Sequence, residues 1–183
     1  MLKETLEKYL QIFPDDGLAL ELLKNQIKYD EQLNTRKNFT GHIAGDAIIL
    51  SPDHKKILLV FHLHNNRWQQ PGGHWDEDEE GPWLTAAREA FEETGVKIER
   101  RVNLVNSDER IPLQIKTGKV MPSTRKNEPQ HWHHDFRYGF IAQNQTIGQI
   151  QDDGIKSAKW VDVNDVPLAY LAEAIARLQE LLK

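Results

Sequence analysis

Apolar residues recur at helical spacing near the start of the chain, in two groups that a turn separates. These positions are Leu2, Leu6, Leu10, Leu20, Leu23 and Ile27. The residues between the two groups, Pro14–Gly17, have strong turn chemistry. Because an apolar residue at every third or fourth position forms one face of an α-helix, the pattern predicts a helical hairpin over residues 3–33. The polar stretch Asn34–Gly41 predicts a linker, so we expect an appendage of residues 1–37 and a main domain of residues 38–183.

Short apolar runs and turns alternate along the rest of the chain. Strands are predicted at residues 47–50, 57–61, 113–115, 131–141 and 158–163. A helix is predicted over residues 82–94. A second amphipathic helix is predicted from the stripe Leu168, Leu171, Ile175, Leu178 and Leu182. Strands and helices interleave without a regular βαβ rhythm, which predicts an α/β (α+β) fold with a mixed sheet between helices.

Composition narrows the class of protein. The 183 residues carry a formal charge of −5, which argues against binding to a nucleic-acid backbone. Cysteine is absent, so disulfides, thiolate zinc sites and cysteine nucleophiles are excluded. The longest apolar run, Ile57–Phe61, is far shorter than the roughly 20 residues that span a bilayer, and the N-terminus does not resemble a signal peptide. We therefore expect a cytoplasmic enzyme with no nucleic-acid or membrane partner.

Three glutamates share one face of the helix predicted over residues 82–94. Pro82 suits its first position and Gly95 suits a left-handed end. At about 100° per residue, Glu89, Glu92 and Glu93 lie within about 100° of one another. The opposite side is expected to pack on the core, and its apolar residues are Leu84, Ala87 and Phe91.

Carboxylates this close repel one another, at roughly 4 kcal/mol for each pair near 4 Å at an effective dielectric of about 20. One interpretation is a divalent cation site, and oxygen ligands favour Mg²⁺ or Mn²⁺. The other is a solvated acidic helix face, since glutamate is a common surface residue. The charge spacing alone leaves both open.

The neighbouring residues resemble the Nudix box, the family signature G-x5-E-x7-R-E-U-x-E-E-x-G-U, in which U is a bulky aliphatic residue. The matching positions are Gly73, Arg88, Glu89, Glu92, Glu93, Gly95 and Val96. The interval from Gly73 to Arg88 is one residue too long, and Ala90 replaces the first aliphatic residue. We place the extra residue in the loop 74–79, which leaves Glu80 at the acidic position of the motif. The likeness extends over about Phe39 to Lys183, through the segments 67–74 and 155–167.

This resemblance implies a three-layer α/β/α sandwich and Mg²⁺-dependent (or Mn²⁺-dependent) hydrolysis of a nucleoside diphosphate linked to another group. Carried over by position, the metal ligands are Glu89, Glu92, Glu93 and the Gly72 carbonyl. Arg88 is expected to orient these carboxylates, and Glu80 to tie the loop to the helix. One carboxylate removes a proton from the attacking water, and Glu93 and Asp153 are the first candidates for that base.

Ionisable residues alternate along the strand predicted at 131–141. His131, His133, Asp135 and Arg137 share one face. The other face is expected to be core, and its residues are Trp132, His134, Phe136, Tyr138 and Phe140. We predict that the ionisable set binds the substrate's phosphate or ribose, joined by His74. Two alternatives stay open: an ion pair between Asp135 and Arg137, and a transition metal on the two histidines. His42 and His54 are expected at the surface.

Several functions remain compatible with these patterns. The leading prediction is a Nudix pyrophosphohydrolase acting on a nucleotide-like small molecule. A Nudix-fold sensor without catalysis and a histidine-rich metal-binding protein are alternatives. Isopentenyl-diphosphate isomerase chemistry is not favoured, because that family relies on a cysteine and this chain has none. The polar segment Lys116–Pro129, with Lys116, Lys119, Arg125 and Lys126, either attracts polyphosphate or is a solvated loop. The hairpin is predicted either to cap the fold or to form a homodimer contact.

Overall fold

Eight β-strands and four α-helices lie within the residues that the computed structural model describes, which are 1–105, 108–124, 127–152 and 154–183. The helices are α1 (Leu2–Ile12), α2 (Glu21–Lys28), α3 (Pro82–Glu92) and α4 (Ala172–Glu180). The strands are β1 (His42–Leu50), β2 (Lys56–His62), β3 (Arg67–Gln69), β4 (Gly72–His74), β5 (Ile98–Val102), β6 (Gln114–Val120), β7 (His131–Ala142) and β8 (Ile155–Asp162). Short 3-10 turns cover Pro14–Gly17, Val163–Asp165 and Ala169–Leu171.

The strands form one mixed sheet, as predicted. Strand β1 runs parallel to β7 along its whole length, from the pair His42 and His133 to the pair Leu50 and Ile141. The other strand pairs are antiparallel: β2 and β4 join β1, β5 and β6 join β7, and β3 and β8 join β2. The first residues of β1 and β7, among them His42 and His133, therefore lie side by side.

Helices cover both faces of the sheet. Since side chains alternate along a strand, Ala47 and Ile49 of β1 join a core cluster with residues of α1, α2 and α3. Ile48 and Leu50 point the other way, into a cluster with Ile175 and other residues of α4. This arrangement confirms the predicted three-layer α/β/α sandwich.

The N-terminal helical hairpin is present, although α2 ends at Lys28, before the predicted end at residue 33. It lies against the main domain, and Leu6, Tyr9, Leu20 and Leu23 are buried in the larger core cluster. Gln26 is also buried, and its side-chain oxygen accepts a hydrogen bond of 2.7 Å from His134 Nε2. The hairpin thus caps the fold. The boundary at residue 37 stays a prediction.

Helix α3 packs on the sheet through a different face from the predicted one. Leu84 is 39% exposed and Phe91 is 47% exposed, so the expectation that they face the core is wrong. The buried side carries Ala86 and Ala90. A Cβ atom on Gly45 of β1 would lie 2.3 Å from the Pro82 carbonyl oxygen. The helix backbone therefore approaches the strand so closely that small residues, and the glutamates next to them, face the sheet.

Two other expectations need correction. Trp132 is 38% exposed rather than buried, because it lies near the start of β7, opposite Lys119 of β6, at the end of the sheet. The segment predicted as a polar loop from Lys116 begins as strand β6, so Lys116 and Lys119 are strand residues; Arg125 and Lys126 lie outside the described residues. Across the described part of the chain, no helix combines the length and apolar character needed to cross a membrane.

Candidate metal and active site

A glycine-rich strand lets the carboxylates of α3 lie against the sheet. Gly72 and Gly73 of β4 pair with Asp46 and Gly45 of β1, and the Gly72 N–H donates a hydrogen bond of 3.0 Å to Glu93 Oε2. A Cβ on Gly73 would lie 1.9 Å from Glu89 Oε1, and one on Gly72 would lie 2.3 Å from Asp46 Oδ1. Any larger residue at either position would displace a carboxylate.

Three carboxylates converge next to this strand. One oxygen each from Glu89, Glu93 and Asp152 lies within 4.8 Å of the others, and Glu89 and Glu93 are buried while Asp152 is exposed. Two members of the set were predicted from the helix. Sequence reasoning missed Asp152 in favour of the adjacent Asp153, which lies outside the described residues. The adjacent aspartates in the sequence had indicated that this loop supplies a carboxylate, but not which of the two.

Burial and mutual repulsion make this cluster electrostatically unfavourable without a cation. Burial, together with the charges of Glu89, Asp152 and Asp46, raises the pKa of Glu93 to about 9, and the Gly72 hydrogen bond opposes this rise. Burial also raises the pKa of Glu89, although Arg88 opposes the rise. A nearby positive charge would reverse these shifts. The oxygen-only donor set fits a hard divalent cation such as Mg²⁺ or Mn²⁺.

Arg88 connects the carboxylates of α3 with the loop before it. Its Nη1 donates to Glu89 Oε1 at 2.8 Å and to Glu92 Oε2 at 3.0 Å, and its Nε donates to Glu79 Oε1 at 2.9 Å. These hydrogen bonds direct the Glu89 and Glu92 carboxylates, and the role of Arg88 in orienting metal ligands stays a prediction. Glu92 therefore lies beside Arg88 with a side chain 38% exposed, outside the convergent group of three.

Glu79, rather than Glu80, ties the loop to the helix. Glu79 also accepts a hydrogen bond of 2.6 Å from Thr85 Oγ1, whereas Glu80 is exposed. Five residues separate Gly73 from Glu79, as in the Nudix box, and eight rather than seven separate Glu79 from Arg88. The extra residue thus follows Glu79, and the placement of Glu80 at the acidic position is wrong.

A buried ion pair between Asp46 of β1 and Arg137 of β7 was not predicted. Asp46 is 5% exposed, accepts a hydrogen bond of 2.7 Å from Gln70 Nε2, and lies 3.4 Å from Arg137 Nε. Burial raises the pKa of Asp46 to about 7, with the charge of Asp135 adding and that of Arg137 opposing. The sequence did contain a feature that could have identified Asp46: it is the one carboxylate in the otherwise apolar segment between His42 and Leu50.

Arg137 is buried among several protein partners. It is 3% exposed, lies 3.5 Å from Asp135 Oδ2, and donates from Nη1 to Gln114 Oε1 at 2.6 Å. Its guanidinium also lies 5.2 Å from the centre of the Tyr170 ring. The ion pair between Asp135 and Arg137, one of the two open interpretations, is therefore present. Contact of either residue with substrate stays a prediction.

Four histidines meet at the start of β1 and β7. His133 Nε2 lies 3.1 Å from His131 Nε2 and 3.4 Å from His74 Nε2, and the ring centres of these three residues lie 4.7–5.0 Å from that of His42. His42 is 2% exposed, so its predicted surface position is wrong. The reason is that β1 begins five residues earlier than predicted and pairs His42 with His133. Burial lowers the pKa of His42.

A mixed sheet between helices, with a glycine strand facing a glutamate-bearing helix, defines the class of protein. Residues 41–182 match the family model of the NUDIX domain, and the chain belongs to the Nudix family. The resemblance inferred from the motif is thereby confirmed, and the matched region begins after the helical hairpin.

Two curated relatives and one solved structure illustrate the likeness. The chain is 33% identical over 126 residues to an RNA pyrophosphohydrolase of Bartonella henselae, covering 62% of this chain and 68% of the relative. It is 27% identical over 135 residues to an ADP-ribose pyrophosphatase of Mycobacterium tuberculosis, covering 68% and 64%. A NUDIX-family hydrolase from Clostridium perfringens shares 25% identity with a TM-score of 0.59, covering 78% of this chain and 98% of that structure. The chain thus spans about two thirds of each curated relative.

Proposed function

We propose that this protein is a metal-dependent pyrophosphohydrolase that cleaves the pyrophosphate bond of a nucleoside diphosphate linked to another group. The observation that carries the proposal is the convergence of Glu89, Glu93 and Asp152 beside Gly72. Family membership supports hydrolysis, and the names of both curated relatives support a pyrophosphate bond as the target.

Glu89, Glu93 and Asp152 would hold the cation, with the Gly72 carbonyl and Glu92 as further proposed ligands. A bound Mg²⁺ or Mn²⁺ supplies charge that neutralises phosphate oxygens and lowers the pKa of a bound water. Arg88 fixes the directions of the Glu89 and Glu92 carboxylates. Glu93 is the proposed proton acceptor, because it lies in the carboxylate cluster, where the charge of a bound cation would keep it ionised and able to take a proton from water. Asp153 stays a second candidate for that role.

The substrate is proposed to be a nucleotide-like small molecule. His131, His133, Asp135, Arg137 and His74 remain the residues predicted to contact it. A cytoplasmic location and a homodimer also remain predictions. The alternative function is a Nudix-fold sensor that binds such a molecule without cleaving it.

Product release from a panel of substrates tests the proposal. The panel contains ADP-ribose, dinucleoside polyphosphates, nucleotide sugars and a 5′-triphosphorylated RNA, each with Mg²⁺ or Mn²⁺. We expect turnover of one class and a loss of about 100-fold or more in Glu93→Gln, the size typical of removing a group that stabilises the transition state. Glu77→Gln, which changes an exposed loop glutamate, is the matched control.

Two outcomes would count against the proposal. Saturable binding of ADP-ribose without turnover of any panel member would favour the sensor. Turnover that Glu93→Gln and Glu77→Gln reduce equally would separate the activity from the carboxylate cluster. The RNA arm also tests the expectation that this acidic chain does not take a nucleic-acid substrate.

A further inference from the structure

We propose that His42, His74, His131 and His133 form a second metal site, which binds a divalent transition metal ion of the zinc class. This inference does not depend on the proposed hydrolase activity, and it assigns His74, His131 and His133 to a metal in place of the substrate contact proposed above. It concerns nitrogen ligands, which suit Zn²⁺, Co²⁺, Ni²⁺ or Cu²⁺, whereas the glutamate cluster offers oxygen ligands that suit Mg²⁺.

The spacing of the ring nitrogens fits such an ion. With Zn–N bonds of about 2.0–2.1 Å, two nitrogens of a tetrahedral site lie about 3.3 Å apart. The Nε2 atoms of His131 and His133 are 3.1 Å apart, and those of His133 and His74 are 3.4 Å apart. His42, His131 and His133 also each place a ring nitrogen within 4.8 Å of the other two.

The outer nitrogens of two of these rings fix which nitrogen faces the cluster. His131 Nδ1 lies 2.8 Å from the Pro129 carbonyl oxygen, and His42 Nδ1 lies 3.0 Å from the Asn38 carbonyl oxygen. Because a carbonyl only accepts, each Nδ1 carries the proton, and in a neutral ring Nε2 then offers a lone pair. Metal-binding histidines characteristically donate their other N–H in this way.

His42 supplies an independent observation. Within the described part of the chain, its Nε2 is a buried polar atom without a hydrogen-bond partner. Burying an unsatisfied acceptor costs free energy, typically about 1–3 kcal/mol. A cation bound among the rings would satisfy this lone pair.

The position of the site suggests what the ion would do. His42 begins β1, His131 and His133 begin β7, and His74 ends β4. A bound ion would join three strands at the point where the loop carrying Glu79 leaves β4. It would therefore stabilise the base of the loop that contacts Arg88.

Cobalt titration of the tag-free, chelator-treated full chain tests the proposal. Co²⁺ is added in the presence of excess Mg²⁺, which occupies the carboxylate cluster, and binding is followed by visible absorption. We expect one equivalent to bind with the intense absorption of a four- or five-coordinate nitrogen site, and Zn²⁺ to displace it. His131→Gln should weaken binding by about 100-fold or more. His54→Gln, in the turn before β2, should leave it unchanged.

Folding is checked by circular dichroism, and His133→Gln or His74→Gln serves if His131→Gln does not fold. Glu93→Gln separates this site from the carboxylate cluster and should retain the Co²⁺ signal. Absence of stoichiometric binding to the wild type would overturn the proposal. So would binding that survives in the folded histidine variants, or binding that is lost in Glu93→Gln.

Discussion

In the folded protein without a cation, the surroundings of Glu93 favour the protonated form of its carboxyl group, whereas in water the ionised form is favoured at neutral pH. Glu93 is 2% exposed, near two other carboxylates, and it receives one backbone hydrogen bond, from Gly72. Its pKa of about 9 lies far above the ordinary value of 4.5, so the folded protein binds a proton that the unfolded chain releases between these two values. The stabilisation by this proton is complete below pH 4.5 and is lost as the pH rises toward 9.

We predict that Glu93→Gln stabilises the protein when no divalent cation is present. Glutamine mimics the protonated acid, so its contribution does not change with pH, whereas wild type loses roughly 1.4 kcal/mol per pH unit above its unfolded-state pKa. The advantage of the variant should grow by up to about 3 kcal/mol between pH 5 and pH 7.5. Urea unfolding in chelator at both values measures it, with Glu77→Gln as the control.

With Mg²⁺ added, we expect the wild type to become more stable than Glu93→Gln. The cation binds the folded wild type and raises its stability by mass action, while the variant lacks one carboxylate charge and gains less. A variant that is no more stable than wild type at pH 7.5 in chelator would show that Glu93 is not strained by its surroundings.

The residues of the candidate site differ in how far the sequence could predict them. Glu89, Glu93 and Arg88 are neighbours on one helix, so local spacing was sufficient. Asp46 and His42 join the two clusters only through strand pairing, with Gly72 and His133 respectively. Pairing between segments so far apart follows from the register of the sheet, which periodicity in a single sequence does not specify.

The loop between β4 and α3 contacts the helix through two carboxylates, the half-buried Glu79 and the more exposed Asp76. Glu79, with a side chain 14% exposed, accepts from Arg88 and Thr85. We predict that Glu79→Gln lowers kcat by about 10- to 100-fold, the range typical of residues that orient metal ligands, and lowers stability by about 1–2 kcal/mol. The same substitution at exposed Glu80 should change neither quantity appreciably.

This pair of variants tests where the extra residue of the motif lies. Turnover of the substrate identified in the panel gives kcat, and urea unfolding gives stability. A larger effect from Glu80→Gln than from Glu79→Gln would restore the original alignment of the motif and contradict the hydrogen-bond geometry.

Helix α3 shows that helical spacing predicts the presence of a helix better than it predicts which face of the helix packs on the sheet. Large apolar residues usually mark the buried side, which led to Leu84 and Phe91. In this protein Gly45 allows the helix backbone to approach β1, so alanines fill the contact. The start of the helix at Pro82 and the left-handed Gly95 beyond its end followed from local chemistry and were confirmed, although the helix ends at Glu92, two residues before the predicted end.

At the scale of the whole molecule, Tyr9 connects the hairpin to both the sheet and α4. It is fully buried, and its hydroxyl oxygen accepts from the Ile115 N–H at 3.1 Å and from Arg177 Nη1 at 3.0 Å. The same hydroxyl donates to Asp16, which also pairs with Arg177. One side chain therefore joins α1, β6 and α4, although the family match begins only at residue 41.

We predict that the hairpin unfolds together with the Nudix domain, and that Tyr9→Phe destabilises both by about 2 kcal/mol because it leaves the buried Ile115 N–H without its acceptor. All five tryptophans lie between Trp68 and Trp160, so their fluorescence reports the domain and not the hairpin. In Tyr9→Phe, the fluorescence transition in urea should shift as far as the circular dichroism transition. Tyr29→Phe, 70% exposed at the end of α2, should shift neither. If Tyr9→Phe left the fluorescence transition unchanged, the hairpin would unfold independently of the domain, because the substitution would then destabilise the hairpin alone.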